Sequence, residues 1–180
     1  TPALQPLLEA LTLCEEREMH SLHAVGISIL AQVFVRLCNP RRAIALLDAC
    51  IPTLLQREHV WFQGEAYLTL AKAHMNIAVE ATRKAELEND TRLDRGDDKE
   101  QRETGDVPLP PGGKKRYRKA LNALGLSEIL FESCQDCLRL QEILYLQSHL
   151  YNILGNEDQR DVTAKRFLQI GKHLSVTTHA

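Results

Sequence analysis

Residues 30–50 read LAQVFVRLCNPRRAIALLDAC, and the architecture of the chain turns on how that stretch is parsed. Leu30 and Ala31 are followed one helical turn later by Phe34, a spacing that puts all three near one helix face. Asn39-Pro40 then interrupts the run, because proline cannot continue a helix but suits the first turn of the next one. Ala43, Leu47 and Cys50 resume at intervals of four and three. The stretch therefore predicts two antiparallel helices joined by a short turn, the second answering the first with a small-large-small face.

The same pattern returns elsewhere. Leu70-Ala71-x-x-His74 repeats the first half, and Gln147-Ser148-x-x-Tyr151 is a weaker copy, with Leu144 three residues before it and Gly155 four after. The small residue in each (Ala31, Ala71, Ser148) marks where a helix must approach its partner closely. The larger residue one turn on fills the space beside that contact. Recurrence on the scale of a helix pair predicts a stack of such pairs.

Working outward, the apolar periodicity predicts helices over 3–17, 21–37, 41–56, 61–83, 117–134, 138–154 and 157–174. In the first of these Leu4, Leu7, Leu8, Leu11 and Cys14 form a stripe. In the second the stripe is Leu22, Val25, Ile29, Leu30, Val33, Phe34 and Leu37. Pro52 is expected to kink or end the third. From about 84 to 114 the chain is crowded with charge and closes on DVPLPPGG, too poor in large apolar groups to offset the entropy of ordering. It reads as a flexible insertion in a single domain, 1–180. The chain opens on Thr1-Pro2-Ala3 without a methionine and enters a helical pattern at once, so it is expected to be a piece of a longer protein. No segment reads as a strand, and the fold class is all-α.

Bulk properties agree with that class. The 180 residues are 44% hydrophobic and 26% charged, with a net charge of −2 and only 5% aromatic residues. Such a balance gives no global field favouring nucleic acid or an anionic membrane. Five cysteines, an odd number, with Cys14, Cys38 and Cys50 inside apolar patterns, read as reduced intracellular filler rather than a disulfide framework.

The positions Ile27, Leu30, Ala31, Phe34, Ala43, Leu47 and Cys50 resemble the tetratricopeptide repeat. Its first helix carries a large-x-x-Leu-small-x-x-aromatic pattern and its second Ala, a large apolar and Ala. Cys38 stands where that repeat has Gly, His74 where it has an aromatic, Gln147 where it has Leu, and Leu55 where it has Pro. The order of LQPLLEALTLCEE, LAQVFVRLCNPRRAIALLDACIPTLL, GEAYLTLAKAHM, a charged insertion and YLQSHLYNILGNEDQRDVTAKRFLQI is also similar to the C-terminal region of one platform-subunit family of the anaphase-promoting complex (cyclosome). That resemblance implies a right-handed superhelix serving as a non-catalytic scaffold of a multisubunit ubiquitin ligase. It further implies mitotic activity, a nuclear (and cytoplasmic) location, other subunits as partners, and no catalytic residue, cofactor or metal. A tetratricopeptide adaptor outside the cell-cycle machinery is the alternative the same periodicity allows.

Chemical motifs are few. Cys134-x-x-Cys137 lacks the second pair that a tetrahedral zinc site needs, and it straddles a predicted helix end rather than a strand-to-helix redox turn. PPGGKKR lacks the spacing of a phosphate loop, and Lys115 stands where the magnesium-binding hydroxyl belongs. Lys114, Lys115, Arg116, Arg118 and Lys119 form a basic cluster, either an import signal or contact for an acidic partner, or else a solvated helix start. It is local, and Tyr117 is its one interleaved aromatic, which disfavours nucleic-acid binding. With no nucleophile, metal set or phosphate motif, an enzyme ranks below a binding module.

The expected site is a groove. In a stack of helix pairs the first helices line the concave side, which predicts a lining of Ser28, Gln32 and Arg36, then Leu68, Lys72, Met75 and Asn76, then Tyr145, His149 and Asn152. Mixed polar and apolar groups suit an extended or helical peptide. The carboxylate clamp of chaperone-binding repeats is absent, since Ser28 and Gln32 occupy the positions where such repeats carry Lys and Asn.

Overall fold

A computed structural model describes residues 4–56, 59–93 and 111–177. Among them are seven helices and no strand: α1 (Leu4–Glu16), α2 (His20–Arg36), α3 (Pro40–Leu55), α4 (Val60–Leu93), α5 (Pro111–Ser133), α6 (Cys137–Ile153) and α7 (Glu157–Thr177). The most extensive packing joins α4 to α5, α2 to α3 and α6 to α7. Further contacts of α1 with α2, α2 with α4, α3 with α4 and α5 with α6 link these pairs in chain order.

Four of the helix junctions are built alike. Each has three residues, the middle one left-handed: Glu18 (φ 55°), Cys38 (54°), Gln135 (56°) and Gly155 (72°). The residue after it donates its N–H to a carbonyl five positions back: Met19 to Cys14, Asn39 to Phe34, Asp136 to Phe131, Asn156 to Tyr151. This satisfies carbonyls that the ended helix leaves unpaired. In three of the turns the same residue caps the next helix, its side-chain oxygen accepting from a backbone N–H: Asn39 from Arg42, Asp136 from Arg139, Asn156 from Gln159. Pro40 then occupies the first turn of α3. Glu157 and Asp158 place negative charge at the positive end of α7.

Two apolar clusters result. One packs Ala24 and Ala31 of α2 with Ala43, Leu47, Cys50 and Leu54 of α3 and Ala66 and Ala73 of α4. The other packs Leu68, Ala71 and Ala78 of α4 with Tyr117, Ala120, Leu124 and Phe131 of α5 and Leu140, Ile143 and Leu150 of α6. Each fully buried Leu, Ile or Phe contributes about 1.5–3 kcal/mol. Ala31 and Ala71, the expected close-approach residues, are fully buried, whereas Ser148 is half-buried. Gln147, at the position read as Leu, is buried because its amide donates to Glu128 at 2.7 Å.

Several boundaries and faces differ from expectation. Helix α4 continues past Arg83 to Leu93, because KAELEND, though charged, is rich in good helix formers; Lys84 and Glu88 pair one turn apart at 3.8 Å. Helix α5 begins at Pro111 rather than Tyr117, the proline standing at the first helical position, where its fixed φ costs nothing. The expected insertion of 84–114 is thus helical at both ends, and its middle, 94–110, lies outside the described residues. Helix α3 runs through Pro52, which is exposed, to Leu55. Leu8, Leu22, Ile29 and Leu37, read as packing residues, are exposed. Helix α1 packs chiefly on α2, and α2 turns one side to α1, α3 and α4 and the other to solvent.

Candidate protein-binding face

The even-numbered helices α2, α4 and α6 are joined by polar side chains. Gln32 Nε2 of α2 donates to Glu65 Oε2 of α4 at 3.3 Å. Lys72 Nζ of α4 donates to Glu142 Oε1 of α6 at 2.6 Å. Arg139 of α6 sits between the two carboxylates, with Nη1 donating to Glu142 Oε2 at 2.8 Å. Its Nε lies 2.6 Å from Glu65 Oε1, off the direction a hydrogen bond requires, so that buried oxygen has a counter-charge but no hydrogen bond. The guanidinium also lies over the Trp61 ring, 6.0 Å from its centroid. Trp61 Nε1 donates to Asp136 Oδ2, the capping residue of α6, at 3.0 Å.

Environment separates the two carboxylates. Burial pushes the Glu65 carboxyl above its usual range, and the charges of Arg139 and Lys72 offset this only in part. Burial also opposes ionisation of Glu142, but there the hydrogen bonds and charges of Lys72 and Arg139 together prevail and hold it below the usual range.

The ten expected groove residues divide. Gln32 and Lys72 lie on this face and carry its cross-helix hydrogen bonds. Ser28 and Leu68 do not line it: each is only 1% exposed. Ser28 lies on the α2 strip between Ala24 and Ala31 and donates to its own helix at Val25 O (2.8 Å), while Leu68 is enclosed by α5 and α6. Neighbouring helices cover this position because successive pairs pack closely along it. Met75 is half-buried against the α4–α5–α6 cluster, and Asn76 is half-buried. Arg36 is exposed at the end of α2, and Tyr145, His149 and Asn152 are exposed on α6, Asn152 accepting from Arg160 of α7 at 3.3 Å.

Trp61, Glu65, Asp136, Arg139 and Glu142 were not among the expected site residues. A signal for two of them exists in the sequence. Aligning Ala71 on Ser148 also aligns Glu65 on Glu142, so the carboxylates occupy one repeat position.

The basic cluster falls on the first turns of α5. Lys114, Lys115, Arg118 and Lys119 are exposed, whereas Arg116 turns inward, its Nη1 3.3 Å from His74 Nδ1. Cys134 lies in the α5–α6 turn with its thiol donating to Leu130 O at 3.0 Å, and both it and Cys137 are free. Buried Cys50 has its thiol pushed up to about 11, chiefly by desolvation, as befits apolar filler. Among the described residues no group of three or more His, Cys, Asp or Glu is placed to hold a metal ion, and no helix is long and apolar enough to cross a membrane. No protein-family model matches the chain, and no curated protein matches it at a significant level.

Proposed function

We propose that the chain is a tetratricopeptide-like helical-repeat scaffold that holds other protein subunits and carries no catalytic centre of its own. One observation supports this most directly: the α2–α4 and α4–α6 junctions use the same positions. Gln32 and Lys72 are equivalent under the Leu30-Ala31/Leu70-Ala71 alignment, and Glu65 and Glu142 are equivalent under the Ala71/Ser148 alignment; each donor reaches the carboxylate of the next even-numbered helix. Recurrence of one contact at one register is what a stack of like units produces. The alike three-residue turns add to it.

The order of segments along the sequence supports a particular scaffold, subunit five of the anaphase-promoting complex, working in mitotic ubiquitination in the nucleus and cytoplasm. Affinity purification of the tagged chain from mitotic cells should recover the other subunits of that complex together with ubiquitin-ligase activity. Arg36→Glu, on a side chain that is exposed and without an ionic partner among the described residues, should weaken recovery while leaving the circular-dichroism spectrum unchanged. Lys72 is a poor choice for that test, because its charge already serves Glu142. Recovery of unrelated proteins only would move the reading to an adaptor outside the cell cycle.

A further inference from the structure

The recurring contact has a direction and an open end. The donor position is occupied by Gln32 in α2, Lys72 in α4 and His149 in α6, and the first two are matched by Glu65 and Glu142. His149 is exposed and, among the described residues, has no hydrogen-bond or ionic partner. Beside it, Tyr145 is 61% exposed, although its equivalents Ser28 and Leu68 are each 1% exposed. Leu138, two turns before Tyr145, is 70% exposed. At the other end the carboxylate position of α2 holds Val25, which is apolar and half-buried in the α2–α3–α4 cluster, so the series does not extend toward α1.

The two occupied junctions also specify what an occupant looks like. In α4 the carboxylate Glu65 is followed one and eight residues later by Ala66 and Ala73, both buried against α2 and α3. In α6 Glu142 is followed at the same distances by Ile143 and Leu150, both buried against α4 and α5. Resting on the repeat reading above, we propose that the α6 face around Tyr145 and His149 docks an amphipathic helix of a partner protein. That helix carries an acidic residue with apolar residues one and eight positions after it. The carboxylate accepts from His149, which keeps an N–H to donate in either protonation state, and the apolar pair covers Tyr145, a residue type suited to anchoring an interface.

A stapled peptide with the sequence of residues 137–153, Cys137→Ser, carries this pattern and serves as the probe, titrated against the full chain by fluorescence anisotropy. It should bind, and Glu142→Lys in the peptide should weaken binding about fivefold, the scale of one lost hydrogen bond. Against the His149→Glu protein the order of the two peptides should reverse, and Tyr145→Ala should weaken both alike. Failure of the peptide to bind the folded chain, or binding indifferent to His149→Glu, would overturn the proposal. So would self-association lost on Tyr145→Ala, which would assign the face to a second copy. A double-mutant cycle on Lys72→Met and Glu142→Gln within the chain separates the two readings. Coupling there without peptide binding leaves the repeat standing and removes the open-end proposal; strict additivity removes both.

Discussion

Two glycines in helix interiors illustrate how far a single position is set by its surroundings. A Cβ on Gly64 would lie 2.8 Å from Phe131 Cε2, inside a fully buried ring, whereas one on Gly125 would meet nothing within 4 Å. Helix propensity favours alanine at both by about 0.5–1 kcal/mol. Gly125→Ala should therefore raise the urea midpoint, while overpacking at Gly64→Ala should cost about 1–3 kcal/mol and lower it. Equal shifts of one sign would contradict the packing at Phe131. His74 gives a pH test: burial, then the charges of Arg116 and Lys119, hold its pKa below 6.5. The unfolded chain thus takes up that proton first as pH falls, so stability is lost on acidification from about 6.5 toward the lower folded value. His74→Phe should make the loss between pH 7 and pH 5 smaller than in the native chain, measured by thermal denaturation. Both alanines of the Leu-Ala motif were legible as buried, because a methyl set among large apolar neighbours leaves room for a second helix to come close. The exposure of Leu22 and Ile29 was not, since periodicity marks an apolar face without saying whether anything covers it.

At the level of elements, seven helices could be read from the sequence to within a few residues at most ends. The two large misses, the end of α4 and the start of α5, have separate causes: Pro111-Gly112-Gly113 reads as a turn although proline suits a first helical position, and 84–93 is dense in charge. Charged residues that form good helices look like linker when judged by hydropathy alone. The turns were half legible. Gly155 announces a left-handed residue, but Glu18, Cys38 and Gln135 adopt the same conformation without being glycine. Their strain, about 1–2 kcal/mol each, is outweighed by the carbonyl contacts around them, with a helix cap added at the Cys38 and Gln135 turns. Cys38→Gly should accordingly stabilise the chain and Gly155→Ala destabilise it, each by about 1 kcal/mol, as read from guanidinium melts. A destabilised Cys38→Gly would mean that the thiol contributes packing the turn depends on. The expected groove failed at Ser28 and Leu68 for a reason of register: helices of successive pairs come close enough to enclose that position, and only α6 leaves it open.

For the whole molecule, the pairing of α4 with α5 rests on Leu68, Ala71, Tyr117, Ala120, Leu124 and Phe131, all outside the segment that separates the two helices in sequence. Lengthening or shortening a connection changes its closure entropy only slowly. Replacing residues 94–110 with a Gly-Ser linker should leave the helical signal and the unfolding midpoint within experimental scatter; a lost cooperative transition would show that the segment supplies contacts the pairing needs. Among the described helices α4 is the one common to both apolar clusters, giving Ala66 and Ala73 to one and Leu68, Ala71 and Ala78 to the other, with Leu70 packed against each. Neither half of the molecule owns that rod. A twist imposed on it by a load at one end is delivered to the other end as torque, so the chain bends as a single spring rather than as two beads on a string.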